Sequence, residues 1–161
     1  DAFVDIVSLL ELALPVIDPS FNLLPVPDKE LSGRYAETRP YEHAIYVKES
    51  VYDAAIRGGG QARMILAHEL AHYLYHSPRE ISFAYVNRNE RLDSNVDPER
   101  QADIFAAEFL APSGELRGLS VSDVQRKFGV SALAAKNQLR QASNIARRHA
   151  SKKKRRSGPK A

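Results

Sequence analysis

The stretch Gln61-Ala62-Arg63-Met64-Ile65-Leu66-Ala67-His68-Glu69-Leu70-Ala71-His72-Tyr73-Leu74-Tyr75 decides the fold. It reads as one helix, following Gly58-Gly59-Gly60, with Met64, Ile65, Leu66, Leu70 and Leu74 supplying its apolar contacts. Residues four apart on a helix lie one above the other on the same face. His68 and His72 can therefore offer two imidazole nitrogens to one metal ion, at about 2.0–2.1 Å each if the ion is zinc. Glu69, one position along, is close enough to hold a water but is turned away from ligation. A Lewis acid beside a general base is what amide hydrolysis at neutral pH needs, and H-E-x-x-H is the spacing that supplies both. The competing reading is a polar helix face that happens to carry two histidines.

A zinc site of this kind takes a third protein ligand and leaves one position open. Glu99, in Pro98-Glu99-Arg100-Gln101-Ala102-Asp103, is the best candidate. Pro98 suits a first helical turn, and Glu99 to Leu110 reads as a helix with Ala102, Phe105, Ala106 and Phe109 on one stripe. Asp103 follows Glu99 by four, so the two carboxylates share a face. One can bind the metal while the other accepts the distal ring N–H of a ligand histidine. Taken alone, both acids would pass for solvated charges near a helix start.

These two helices resemble the ImmA/IrrE metallopeptidases, bacterial and phage proteins with a compact gluzincin-type core. The resemblance runs from about Gly33 to Pro112 and is carried by His68-Glu69-Leu70-Ala71-His72 and by Glu99-Arg100-Gln101-Ala102-Asp103-Ile104-Phe105-Ala106-Ala107-Glu108-Phe109-Leu110-Ala111-Pro112. It implies that His68, His72 and Glu99 are zinc ligands, that Glu69 is the catalytic glutamate and that Asp103 supports a ligand histidine. It also implies a protein substrate, because members with known roles cleave helix-turn-helix repressors and release the genes of a mobile element or stress regulon. Leu110-Ala111-Pro112 stands where many members carry Leu-Met-Pro, a departure at a packing position.

The remaining sequence organises around that core. The expected fold is α+β: a small twisted sheet packed on the motif helix and the Glu99 helix, a zincin-like arrangement with helical N- and C-terminal segments. Phe3, Val7, Leu10 and Leu14 mark a first helix stopped by Pro15. Residues 15–30, with four prolines, read as an irregular connector. Strands are expected near Leu31–Thr38 and Ala44–Lys48, with Arg39-Pro40-Tyr41-Glu42 as the turn. In zincins a strand beside the motif helix often holds extended substrate, and Ala44–Lys48 is the candidate. Residues 87–98 read as a polar loop over the site whose folding is coupled to zinc binding. His76 reads as a helix-end residue rather than a ligand. Tyr41, Tyr46, Tyr73, Tyr75 and Tyr85 are available as donors to a developing oxyanion, with none singled out.

Beyond Pro112, Val121 to Phe128, Gly129-Val130-Ser131 and Ala132 to Ile145 trace helix, turn, helix. Lys136 and Arg140 on the second helix are residue types that can reach phosphates or base edges. The chain thus divides into a metallopeptidase core (1–112), a helical segment (113–150) and a basic tail (151–161) expected to be disordered.

The 161 residues carry a formal charge of +3. Six of the 23 basic residues fall in 151–161, where there is no acid, leaving a body of about −3 with 17 basic against 20 acidic side chains. The tail is either a solubilising appendage or a contact for nucleic acid or an acidic protein surface. No cysteine is present, which excludes disulfides, thiolate metal sites and thiol nucleophiles. The apolar run from Phe3 to Ile17 is broken by Asp5, Glu11 and Pro15 and lacks a basic lead, so neither a signal peptide nor a membrane span is read there, and a cytoplasmic location is expected. The chain starts at Asp1 without methionine, where some relatives carry a DNA-binding domain.

Two functions follow from this reading. One is a zinc endopeptidase acting on a helix-turn-helix repressor, with one Zn2+ per chain and Mn2+ or Co2+ as substitutes. The other is a DNA-binding regulator with a structural or sensory zinc site. A structural site would normally be closed by four protein ligands, whereas three obvious ones and an intact Glu69 are found here.

Overall fold

The computed structural model describes residues 3–75 and 97–156; for 149–156 only the helical backbone is described. In chain order the elements are α1 (Ile6–Ser8), a π-helical turn (Leu9–Ala13), α2 (Leu14–Ile17), β1 (Asn22–Val26), β2 (Ala36–Arg39), β3 (Ala44–Lys48), α3 (Glu49–Ile56), α4 (Gly60–Tyr75), α5 (Pro98–Leu110), α6 (Val121–Phe128) and α7 (Ala132–Arg156). The class is α+β: a three-stranded mixed sheet among the described residues, with α3 and α4 in contact with it.

The strand order is β1-β3-β2, with β1 parallel and β2 antiparallel to β3. β3 is therefore the central strand, and Ala44, Ile45 and Val47 are buried. This corrects the expectation that Ala44–Lys48 offers an edge to substrate: both its edges are already paired, and β2 is an edge strand beside α4. β1 lies inside the segment read as irregular. Pro25 disguised it, yet a proline is tolerated on an edge strand because its missing N–H can face outward.

The first helical run also departs from expectation. It does not stop at Pro15 but continues to Ile17. The wide turn at Leu9–Ala13, closed by the Leu14 N–H bonding the Leu9 carbonyl, relieves the clash a proline ring makes with the preceding helical turn. Ile6, Val7, Leu10 and Leu14 are buried by this run.

α4 and α5 pack against each other. Ala67, Ala71, Ala102 and Ala106 are all fully buried, and small side chains on both helices allow close approach of the two axes. Leu66 and Leu70 go into the core, but Leu74, expected there, is half exposed. α5 starts where its sequence says: the Asp97 side chain accepts the Glu99 N–H and Pro98 occupies the first turn.

The C-terminal helices pack on this core. Val124, Phe128, Val130 and Ala135 belong to the same buried cluster as Ile45 and Leu66. A capping box between Ser120 and Asp123 opens α6, and Gly129 closes it in the left-handed region at φ 62°. A Cβ there would strike Arg63 and Phe3, so glycine is required twice over. Arg63 is 1% exposed; its guanidinium donates to the carbonyls of Val4 (2.6 Å), Phe128 (2.7 Å) and Gly129 and stacks on Phe3. One buried cation thereby ties the N-terminal segment, α4 and the α6–α7 turn together. Gly60, at the start of α4, meets the same turn so closely that a Cβ would collide with Val130 and Ser131.

α7 runs past Ile145 to Arg156, so the first part of the basic tail, expected to be disordered, continues a helix. No helix among the described residues is long and apolar enough to cross a membrane.

Candidate metal centre

Two helices and one strand build the site. α4 carries His68 and His72 one turn apart, their rings 4.7 Å between centroids. Their Nε2 atoms are 3.0 Å apart. The first turn of α5 brings Glu99 to both: Oε2 lies 3.3 Å from His68 Nε2 and Oε1 lies 3.4 Å from His72 Nε2. One ligand atom from each of the three residues falls within 4.8 Å of the others.

Those separations test whether a metal fits. Donors at zinc bond lengths around a tetrahedral ion stand about 3.3 Å apart, close to the 3.0, 3.3 and 3.4 Å found here. Two nitrogen lone pairs at 3.0 Å repel unless a proton or a cation lies between them, and an adjoining carboxylate favours the cation. A two-imidazole, one-carboxylate set suits zinc, with manganese or cobalt as alternatives.

The second acid of α5 acts on a different atom. Asp103 Oδ1 is 2.9 Å from His68 Nδ1, so the ring N–H points to the carboxylate and Nε2 keeps its lone pair for the cluster. Glu99 and Asp103 are exposed and the histidines are partly buried: the centre lies at the floor of an open cleft, not in the core.

Glu69 is held from the sheet. The hydroxyl of Thr38, on β2, lies 2.7 Å from Glu69 Oε2 and 2.9 Å from its main-chain oxygen. Of the two acceptors the carboxylate is the stronger. Thr38 was not singled out from sequence. The register pairs Ala36 with Val47 and Thr38 with Ile45, so Thr38 is a hydroxyl on the core face of its strand. That alternation is the one signal that could have found it.

A cavity of about 290 Å³ opens beside these groups, lined by Tyr35, Ala36, Gln61, Met64, Ile65, His68, Glu69, Asp103 and Ala106. Lys136 and Arg140 are exposed on α7 and do not line it. Among the tyrosines, the Tyr46 hydroxyl donates to Glu42 and that of Tyr73 to Asp18, while Tyr41 and Tyr75 are exposed. His76, Tyr85 and residues 87–96 of the expected loop lie outside the described residues.

Comparison with known proteins agrees with the geometry. A peptidase family model described as "IrrE N-terminal-like domain" matches residues 24–140. Neither the curated proteins nor the solved structures contain a match to the chain.

Proposed function

This chain belongs to the IrrE N-terminal-like peptidase family, and on that premise we propose that it is a zinc-dependent endopeptidase that cuts a regulatory protein, in the first instance a helix-turn-helix repressor, and so relieves repression of its genes. The observation that carries the reading is the convergence of His68, His72 and Glu99 on one point with Glu69 beside them.

In this reading His68, His72 and Glu99 hold the metal, and Asp103 fixes the tautomer and tilt of His68. Zinc, when bound, supplies a Lewis acid that polarises the scissile carbonyl and acidifies water. Glu69 is the general base: its carboxylate takes a proton from the attacking water and returns it to the leaving amine. The Thr38 hydroxyl occupies Oε2 of that carboxylate, which leaves Oε1 to face the water. An extended substrate can add to the edge of β2, whose first residue lines the cleft.

The test is intact-mass spectrometry of a purified helix-turn-helix repressor after incubation with zinc-loaded protein. Two new fragments from the wild type, and none from Glu69→Gln with its zinc retained, are the expected outcome. An uncut repressor in both samples counts against the repressor as substrate. Cutting that persists in Glu69→Gln counts against the catalytic assignment.

A further inference from the structure

The cleft does not end at the catalytic groups. A second cavity of about 360 Å³ shares Gln61, Met64 and Asp103 with the first and continues to Ile104, Leu133, Asn137 and Gln141. The two adjoin at these three side chains, and the trough they line together reaches from His68 and Glu69 to Leu133 and Asn137 in the first turns of α7. Among the described residues its second half carries one charged side chain, Asp103, in a chain in which 27% of residues are charged. Leu133 is 69% exposed and Ile104 43%, so two large aliphatic groups stand in solvent at its rim while Met64 floors it. The far wall is fixed: Gln138 donates to Glu108 (2.8 Å) and to the Ala111 carbonyl (3.0 Å). Asn137 and Gln141 stand one helical turn apart on that wall; Gln141 Nε2 reaches Glu108 at 3.5 Å, and Asn137 is an amide of the kind that pairs with peptide groups.

We infer that this trough holds the substrate chain beyond the scissile bond and selects an uncharged, apolar side chain several residues from the cut. The occupant follows from continuity. A polypeptide lying across Glu69 and leaving towards Gln61 meets, at Gln61, Met64 and Asp103, side chains that also line the second cavity. The chemistry follows from the lining, since apolar walls with a few amides hold a backbone by hydrogen bonds and a side chain by burial. Asp103 is committed to His68, so it is not a free recognition charge. The inference rests on the peptidase reading and names what that site recognises.

The experiment uses a randomised ten-residue peptide library. Zinc-loaded Glu69→Gln protein and the same protein carrying Leu133→Asp are each incubated with the library, and retained peptides are sequenced by mass spectrometry. The inference expects at least about fivefold enrichment of apolar residues at one position with Leu133, lost or replaced by Lys and Arg with Leu133→Asp, at equal zinc content and equal melting temperature. No enrichment, enrichment that Leu133→Asp leaves unchanged, or a Leu133-dependent dimer without peptide selection would overturn it. A parallel digest of the library by zinc-loaded wild type separates the two readings. Absence of cutting beside Leu133-dependent retention would sink the peptidase and leave the trough. Cutting whose sequence preference ignores Leu133→Asp would sink the trough and leave the peptidase.

Discussion

The Thr38 hydroxyl lies 2.7 Å from the carboxylate of Glu69, 31 positions away in the chain and on a different kind of element. A strand residue thus orients the helix residue proposed as the base. Thr38→Val keeps shape and removes the donor; it is expected to lower kcat about tenfold, the effect of losing one hydrogen bond of about 1.4 kcal/mol in the transition state. KM and zinc content should change little, and Thr38→Ser should restore most of the rate. An equal loss in the Val and Ser variants would show that the methyl group matters, not the hydroxyl.

Asp103 fixes His68 through Nδ1 at 2.9 Å. Asp103→Ala is predicted to weaken zinc affinity by about 10–100-fold, read by competition with a chromogenic chelator. Wild-type affinity in this variant would contradict the assigned role.

Metal should also stabilise the fold, because Glu99 and the histidines stand on different helices. Zinc at a thousand times its dissociation constant is expected to add about 4 kcal/mol. Removing it with a chelator should lower Tm and open the Asp97–Glu99 junction to proteolysis. A Tm and digestion pattern indifferent to chelation would contradict this coupling.

Arg63 offers a test of the architecture away from the chemistry. Arg63→Leu leaves three carbonyls without their donor and is expected to cost about 3 kcal/mol, or roughly 6–12 °C in Tm. Gly129→Ala should also destabilise, since its φ of 62° and its contacts with Arg63 and Phe3 both disfavour a side chain.

Acid sensitivity should come partly from Asp18. The Ser20 hydroxyl, then the Tyr73 hydroxyl, hold its carboxyl at about 2, below the ordinary 3.8. A pKa lowered by folding means that the unfolded chain binds the extra proton first. The stabilisation is therefore complete above about pH 4 and is lost as pH falls towards 2. Asp18→Asn should flatten the stability profile across that window and leave the neutral-pH slope unchanged. A wild-type slope in the variant would show that the acid response lies elsewhere.

What was legible from the sequence was what local spacing encodes. H-E-x-x-H places two rings on one helical face, and Asp97-Pro98-Glu99 announces a helix start, so the candidate ligands and both helices could be read before any fold was known. What was illegible was tertiary. Thr38 has no local mark until β2 is in register with β3. Pro25 argues against a strand unless that strand is known to be at an edge, and Pro15 argues for a stop unless the wide turn before it is known. Arg63 looks like a solvent-exposed helix residue, because nothing nearby in sequence shows that three carbonyls from distant segments converge on it.

The most direct test of the account is anomalous diffraction from crystals of the zinc-loaded protein, recorded above and below the zinc edge. The account predicts one strong peak per chain within bonding distance of His68 Nε2, His72 Nε2 and a Glu99 oxygen, with Glu69 outside that distance. A peak bound by other residues, or none in crystals of protein shown to be zinc-loaded, would contradict it.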